Sequence, residues 1–410
     1  MNVVEWIFLF YMFVSLYLLF LFLFILASHR TRLFEHTVGK IVPVSIVMPC
    51  YNEEEHIGNA IESLLALDYP KDKLELIVVD DRSTDDSAAV VRTFIQKYPG
   101  RIRLIVNKRN SGGAAEPTNM GVRAAKYAYI AVADADSFPR PDALRKMIGF
   151  LQDDVKVGAV TCAVLAQPPK TFMQRLQAIE YTIIAWNRKL LDCVDAVYVT
   201  PGPFALYNKQ ILKKVGLFDT SNLTQDIEIV WRLRSQGYTA RMCLATHVYS
   251  ATPTHLREWF KQRIRWNVGG LQTLMKYKHL FLRNGMLGSF IVPFFAVSLC
   301  LGLFGLGMYF YLTFRHIYLT YLTADYSLYA DTALFRLPEL MFSPSILNYF
   351  GIILFAAGIF FTLLGLQIMK THPIKGNLFN ILFYLLVYLT IYPFIMITAT
   401  YKYLRGTYTW

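Results

Sequence analysis

The chain has 410 residues, a formal net charge of +12, 55% hydrophobic and 15% aromatic residues, and a mean hydropathy of +0.35. So oily a composition excludes an ordinary soluble protein, and the basic excess points to anionic lipids and an anionic substrate before nucleic acid. Five cysteines (Cys50, Cys162, Cys193, Cys243 and Cys300) show no C-x-x-C pairing, so neither a zinc site nor disulfides are expected, and they read as thiols of a reducing compartment.

In chain order, residues 3–27 carry one charge, Glu5. As a helix this run is roughly 37 Å long, enough to cross a bilayer. It is too long for a signal-peptide core, and no A-x-A-like cleavage site follows. Residues 1–30 are therefore read as an N-terminal membrane helix, and residues 42–250 as a globular domain. Val44–Pro49 reads as a buried strand, followed by a helix with Ile57, Ile61, Leu64 and Leu65 at 3.6-residue spacing. A second strand, Leu74–Val79, ends in Asp80-Asp81-Arg82-Ser83-Thr84-Asp85, with Ser83 or Thr84 the expected cap of a helix over 86–97. A third strand, Ile102–Val106, leads through the loop Asn107–Thr118 and a short helix to a fourth strand, which ends at Ala133. Repeated strand–turn–helix units predict a parallel α/β sheet that binds its ligand beyond the carboxyl ends of the strands.

The fourth strand ends in Asp134-Ala135-Asp136. Residues two apart on an extended chain point the same way, so both carboxylates can reach one hard divalent cation that also binds substrate phosphates. A polar turn is the plain alternative, and the accompanying motifs decide between the two. Stretch 168–191 reads as an interfacial helix. Thr224-Gln225-Asp226 opens a helix that ends at Gly237, and residues 251–284 form a further interfacial segment whose amphipathic part is 255–277. Three apolar runs, 286–313, 346–369 and 377–401, make a C-terminal membrane domain over 285–410, for about four spans in all. Arg30, Arg32, Lys40, Lys276, Lys278, Arg283, Lys370 and Lys375 cluster at one set of helix ends. The loop 314–345 holds only Arg315 and Arg336 against Asp325, Asp331 and Glu339. The positive-inside rule then places the globular domain in the cytoplasm and loop 314–345 outside, in a multi-pass protein of the plasma membrane, with Lys402 and Arg405 as a mild exception.

Five short motifs, in order, carry a family resemblance over residues 42–284. Pro49-Cys50-Tyr51-Asn52-Glu53, Val79-Asp80-Asp81-Arg82-Ser83-Thr84-Asp85 and Asp134-Ala135-Asp136 resemble the nucleotide-sugar half of family 2 glycosyltransferases. Thr224-Gln225-Asp226 and Gln262-Arg263-Ile264-Arg265-Trp266 are similar to the T-E-D and Q-x-x-R-W motifs of the cellulose-synthase-like branch. The resemblance implies a GT-A-like, Rossmann-related nucleotide-sugar-binding domain inserted between the membrane helices, with amphipathic interfacial helices beside it. It implies donor contacts from Pro49, Tyr51, Glu53, Asp80, Asp81 and Asp134, although Asp80 also suits a strand-end cap and Tyr51 a rim aromatic. Asp134 and Asp136 would hold Mg²⁺ or Mn²⁺ on the diphosphate. Gln262, Arg263 and Arg265 would bind the diphosphate. Trp266, Gly202, Pro203 and Gln225 would meet the acceptor, and Asp226 would be the base that deprotonates it. A helix cap for Asp226, and a plain interfacial helix for the arginines and Trp266, are the alternatives. Relatives often carry a lysine where this chain has Ala114, and Lys108 or Arg109 is the stand-in expected here.

Four helices can hardly enclose a sugar polymer, and unpaired hydroxyls in lipid are costly. The expected reaction is therefore transfer of one hexose, mannose favoured, from a GDP- or UDP-sugar to a polyprenyl- or dolichyl-linked glycan at the bilayer face. The alternatives are a processive polysaccharide synthase that lengthens its own product, and an inactive nucleotide-sugar-binding scaffold.

Overall fold

The computed structural model describes residues 3–283, 285–329, 346–370 and 377–408. Eight strands form one sheet: β1 (Val44–Cys50), β2 (Leu74–Asp80), β3 (Ile102–Val106), β4 (Tyr129–Val132), β5 (Ser137–Pro139), β6 (Val157–Ala166), β7 (Ala205–Asn208) and β8 (Thr239–Ser250). Their order is β3-β2-β1-β4-β7-β6-β8-β5. The first four run parallel, as the strand–helix alternation predicts. The second half of the sheet corrects the all-parallel expectation: β7 is antiparallel to both β4 and β6, and β5 is antiparallel to β8. The reversal follows from the connection between β6 and β7, which runs through a long helix and brings the chain back into the sheet at the end it left, so that β7 runs against β6.

Every residue of β1 and of β6 is buried, because helices cover both faces of the sheet. Helices α1 (Val3–His29), α2 (Ile57–Leu65), α3 (Ser87–Lys97), α4 (Ala115–Ala124), α5 (Ala143–Met147) and α6 (Phe150–Asp153) precede β6. Helix α2 buries Ile57, Ile61 and Leu64 at the predicted spacing, each worth about 1.5–3 kcal/mol on leaving water. The cap of α3 differs from expectation. It is Asp86, with no side-chain cap bond, while Ser83 and Thr84 are used elsewhere. Helix α7 (Phe172–Cys193) starts with a reciprocal capping box between Thr171 and Gln174. Helices α8 (Lys209–Lys214), α9 (Gln225–Ser235) and α10 (Leu256–Tyr277) complete the globular part.

Among the described residues four helices are long and apolar enough to cross a membrane: Trp6–Arg32, Leu287–Thr323, Tyr349–Met369 and Leu378–Arg405. Helix α11 (Val292–Tyr329) outruns the expected span and takes up the first half of the expected outer loop. Between Gly307 and Pro338 the sequence holds neither glycine nor proline, so nothing stops the helix at 313. The rest of that loop, 330–345, lies outside the described residues, as does Lys375. Helix α12 (Ile346–Met369) has the expected bounds. The last span is bent: α13 (Leu378–Phe383) passes through a π turn, Tyr384–Tyr388, and a 3₁₀ turn before α14 (Tyr392–Arg405). Pro393, near the start of α14, cannot donate back into the preceding turn.

Candidate active site

Two turns at adjacent strand ends build the first half of the site. Asn52 and Arg82, just past β1 and β2, both take left-handed backbone (φ 54° and 67°). The turns are tied side by side: Asn52 N donates to Ser83 Oγ (3.0 Å) and Thr84 N donates to Asn52 Oδ1 (2.8 Å). Glu53 N donates to Ser87 Oγ at 2.8 Å. Ser83 and Thr84 therefore join the turns rather than cap α3. Tyr51 is half exposed at the rim. Pro49 is buried inside β1, so its part is to shape the strand end, not to touch a ligand. Asp80 is buried and accepts from Ser83 N at 3.1 Å, the strand-end cap. Asp81 accepts from Asn107 Nδ2 (2.7 Å), Ser111 N (2.9 Å) and Ser111 Oγ (2.6 Å), which folds the Asn107–Gly113 loop over it. Lys108 and Arg109 are exposed on that loop.

Past β4, four carboxylates converge. Burial raises Asp134 well above the carboxylate range, with further push from Asp136, Asp226 and Glu53 and relief from Arg265. Burial also raises Asp136, against the Ser137 hydroxyl and His56. Glu53 is pushed up to about 7 by burial first and Asp136 second, which sets it beside the Asp134–Asp136 pair. Asp226 is raised by burial and relieved by Arg188 and Arg265. Like charges held together out of water are relieved by taking up a proton or by a cation between them. Among the described residues no group of three or more His, Cys, Asp or Glu side chains is gathered as a metal site. Two hard carboxylates are what a Mg²⁺ or Mn²⁺ shared with a diphosphate takes from the protein, so Asp134 and Asp136 fit such an ion. Gly202 closes over them: a Cβ there would lie 2.6 Å from Asp134 Oδ2.

The acceptor half is assembled over long sequence distances. Asp226 stands in the first turn of α9, and its Oδ1 accepts from Ile227 N at 3.0 Å; the cap position is Thr224. Thr200 N donates to the Asp226 carbonyl at 3.3 Å, bringing the 200–204 loop against it. Gly269 lets α10 touch Thr224, whose Oγ1 would sit 2.3 Å from a Cβ there. Buried Glu228 locks the two helices, accepting from Lys276 Nζ (2.7 Å), Tyr277 OH (2.9 Å) and the Arg232 guanidinium. Arg265 therefore faces the cluster: Asp226, Asp134 and Asp136 support its charge against burial.

Arg263 corrects the expectation. It is 1% exposed, and Nη2 and Nε donate to Glu180 of α7 at 2.6 and 3.0 Å. Nε also donates to Tyr392 OH (3.2 Å) and Nη1 to Gln262 Oε1 (2.7 Å). Tyr388 OH donates to Glu180 Oε2 at 2.6 Å. All three nitrogens of this guanidinium donate within the protein, and it lies 3.9 Å over one face of Trp266. Residues without a site role in the sequence reading thus matter here: Glu180 and Tyr392, which hold Arg263, Tyr388, which holds Glu180, and Arg188, read only as part of the polar side of an interfacial helix and now the cation that most relieves Asp226. Among the described residues, Arg188 Nε, Asn187 Oδ1 and Gln225 Oε1 are buried without a hydrogen-bond partner. Only Gln225 carried a sequence signal, its place beside Asp226.

The sequence profile described as "Glycosyltransferase like family 2" matches residues 42–269. Among curated proteins, the poly-beta-1,6-N-acetyl-D-glucosamine synthase of Staphylococcus epidermidis is 29% identical over 268 residues, 65% of this chain and 64% of that protein. The enzyme of the same name from Staphylococcus aureus is 30% identical over 240 residues, 58% of this chain and 57% of that one. The chain thus aligns with less than two thirds of these relatives. A mannosyltransferase of Pyrobaculum calidifontis, solved with GDP-Man and Mn²⁺, superposes over 95% of this chain and 100% of its own with a TM-score of 0.55 at 19% identity. At that identity the likeness shows the fold alone, a GT-A-like one.

Proposed function

The chain belongs to glycosyltransferase family 2, and on that premise we propose that it is an inverting, divalent-cation-dependent membrane enzyme that builds a polysaccharide from a nucleotide-diphosphate sugar. The observation that carries this is the convergence of Asp134, Asp136, Asp226 and Arg265 beyond β4. Two curated relatives that are synthases of an N-acetylglucosamine polymer favour the polymer over single transfer to a lipid-linked glycan. They make N-acetylglucosamine the sugar to test first, carried by UDP or GDP.

In this reading Tyr51, Glu53 and Asp81 frame the nucleoside, while Gln262 and Arg265 meet the diphosphate. Asp134 and Asp136 hold Mg²⁺ or Mn²⁺, which when bound neutralises charge on the leaving nucleoside diphosphate. The acceptor hydroxyl lies between Asp226 and Trp266, with Gly202, Pro203 and Gln225 around it. Its proton passes to an Asp226 oxygen as its own oxygen bonds to the anomeric carbon. The anomeric C–O bond to phosphate breaks with its electron pair leaving on the diphosphate. A single displacement inverts configuration, so an α-linked donor gives a β-linked product. Burial raises the proton affinity of Asp226, as suits a group that takes up a proton, and the arginine charge beside it offsets part of that rise. The basic helix ends support a catalytic domain on the cytoplasmic side of the plasma membrane.

The four candidate membrane helices among the described residues favour a second reading, addition of one hexose to a lipid-linked glycan, because they offer little enclosure for a polar chain. Purified protein is given Mg²⁺ or Mn²⁺ and a panel of UDP- and GDP-sugars, with and without polyprenyl-phosphate acceptors. Nucleoside diphosphate release with lengthening carbohydrate supports the polymer. Release that needs lipid acceptor and stops after one sugar supports the second reading. Donor binding without any release would leave only a nucleotide-sugar-binding scaffold.

A further inference from the structure

On the face of α7 turned away from Arg263 lies a cavity of about 610 Å³, within the range of small-ligand pockets. Its floor is the β6–β8 pair and its rim is made by membrane helix ends. Phe34 follows α1, Met369 and Lys370 end α12, and Asn377 and Asn380 open α13. The cavity therefore sits at the level where the helices leave the membrane, on the side that carries the globular domain.

Its polar lining is cationic. Arg140, Arg175 and Lys370 contribute guanidinium and ammonium groups, and no Asp or Glu is among the described lining residues. Asp142, just outside, pairs with Arg140 (3.4 Å) and Lys146 (2.9 Å) and accepts from Thr246 Oγ1 (2.7 Å). The positive charge left over resides on Arg175 and Lys370. Among the described residues neither is ion-paired; Arg175 only leans over the Phe172 ring at 5.9 Å. Burial first and Arg140 second push His247 down to about 4, so near neutrality it offers a neutral imidazole N–H instead of a charge. Asn377 and Asn380 add amide donors. Phe34, Ile179 and Met369 make the membrane side of the lining apolar.

Cations and amides facing apolar side chains, at a helix-end level, match a group that is anionic at one end and hydrocarbon at the other. We propose that this cavity binds the phosphate headgroup of an anionic phospholipid, held by Arg175 and Lys370 with its acyl chains leaving past Phe34 and Met369. Because α7 separates the cavity from Arg263 and Trp266, the bound lipid fixes the helix that positions the acceptor half of the active site. The site is independent of which sugar is transferred.

The full chain is reconstituted in nanodiscs of phosphatidylcholine, alone or with phosphatidylglycerol. Lipid retention is followed by native mass spectrometry and stability by thermal unfolding. Phosphatidylglycerol is expected to be retained and to raise the unfolding midpoint. Arg175→Ala with Lys370→Ala should weaken that retention by roughly fivefold per cation removed, since each is worth about 1 kcal/mol at a lipid surface. Asn380→Asp, which adds a negative charge and gives up the Nδ2 donation to Asn377 Oδ1 (3.3 Å), should weaken it as well, whereas Arg30→Ala with Arg32→Ala, exposed at the same level, should change it little. Unaltered nucleoside diphosphate release in pure phosphatidylcholine shows that the variants are folded. Retention of phosphatidylglycerol by the cavity variants equal to that of the parent would overturn the proposal. So would inorganic phosphate in solution giving the same stabilisation, which would make it a free-anion site.

Discussion

The two halves of the candidate active site are put together in opposite ways. The donor half is local: Asn52, Ser83, Thr84, Asp80 and Asp81 lie within a few residues of strand ends and are tied by short turn hydrogen bonds. The acceptor half hangs on partners far apart in sequence, Arg263 with Glu180, 83 residues away, and Tyr388 with Glu180, 208 residues away. One half therefore depends on sheet edges alone, while the other depends on the last membrane span being in place. Damage to the first should show in donor binding. Damage to the second should reach both stability and acceptor use.

The largest effect expected is at the junction of the halves. Asp226→Asn should lower turnover by about 10²–10⁴, the usual reach of a positioned base, with donor affinity unchanged. Unchanged turnover would remove Asp226 from that role. Next, Glu180→Leu strands a buried guanidinium, and losing one partner of a buried pair costs about 3–5 kcal/mol. The unfolding midpoint should fall and the acceptor KM rise while the donor KM holds; an equal loss on the donor side would erase the division drawn above. Gly202→Ala places a Cβ 2.6 Å from Asp134 Oδ2, so the Mn²⁺ concentration for half-activation should rise severalfold with the fold intact. An unaltered Mn²⁺ dependence would separate the 200–204 loop from the metal pair.

The smallest effect lies outside both halves. His247 titrates near 4 in the fold, below its ordinary value of about 6.5. Between those pH values the unfolded chain binds more protons there, so stability falls as pH drops from about 6.5 to about 4 and levels off below. His247→Asn should flatten that part of the curve relative to the parent. A parallel curve would mean the imidazole titrates normally.

The sequence by itself determined the parallel half of the sheet, the membrane helices other than the end of α11, and the carboxylates at the end of β4. Buried strands, 25-residue apolar runs and i, i+2 carboxylates are local patterns, and local patterns survive without neighbours. Strands β5 to β8 were not read from the sequence; β5 and β7 are only 3 and 4 residues long, too short for a periodicity to show. Only the tertiary structure separated Arg263 from Arg265. Both are arginines of one helix two positions apart, and their side chains diverge around it. Which of them meets the carboxylate cluster is decided by where Glu180 and Tyr388 stand, and no spacing within residues 262–266 records that.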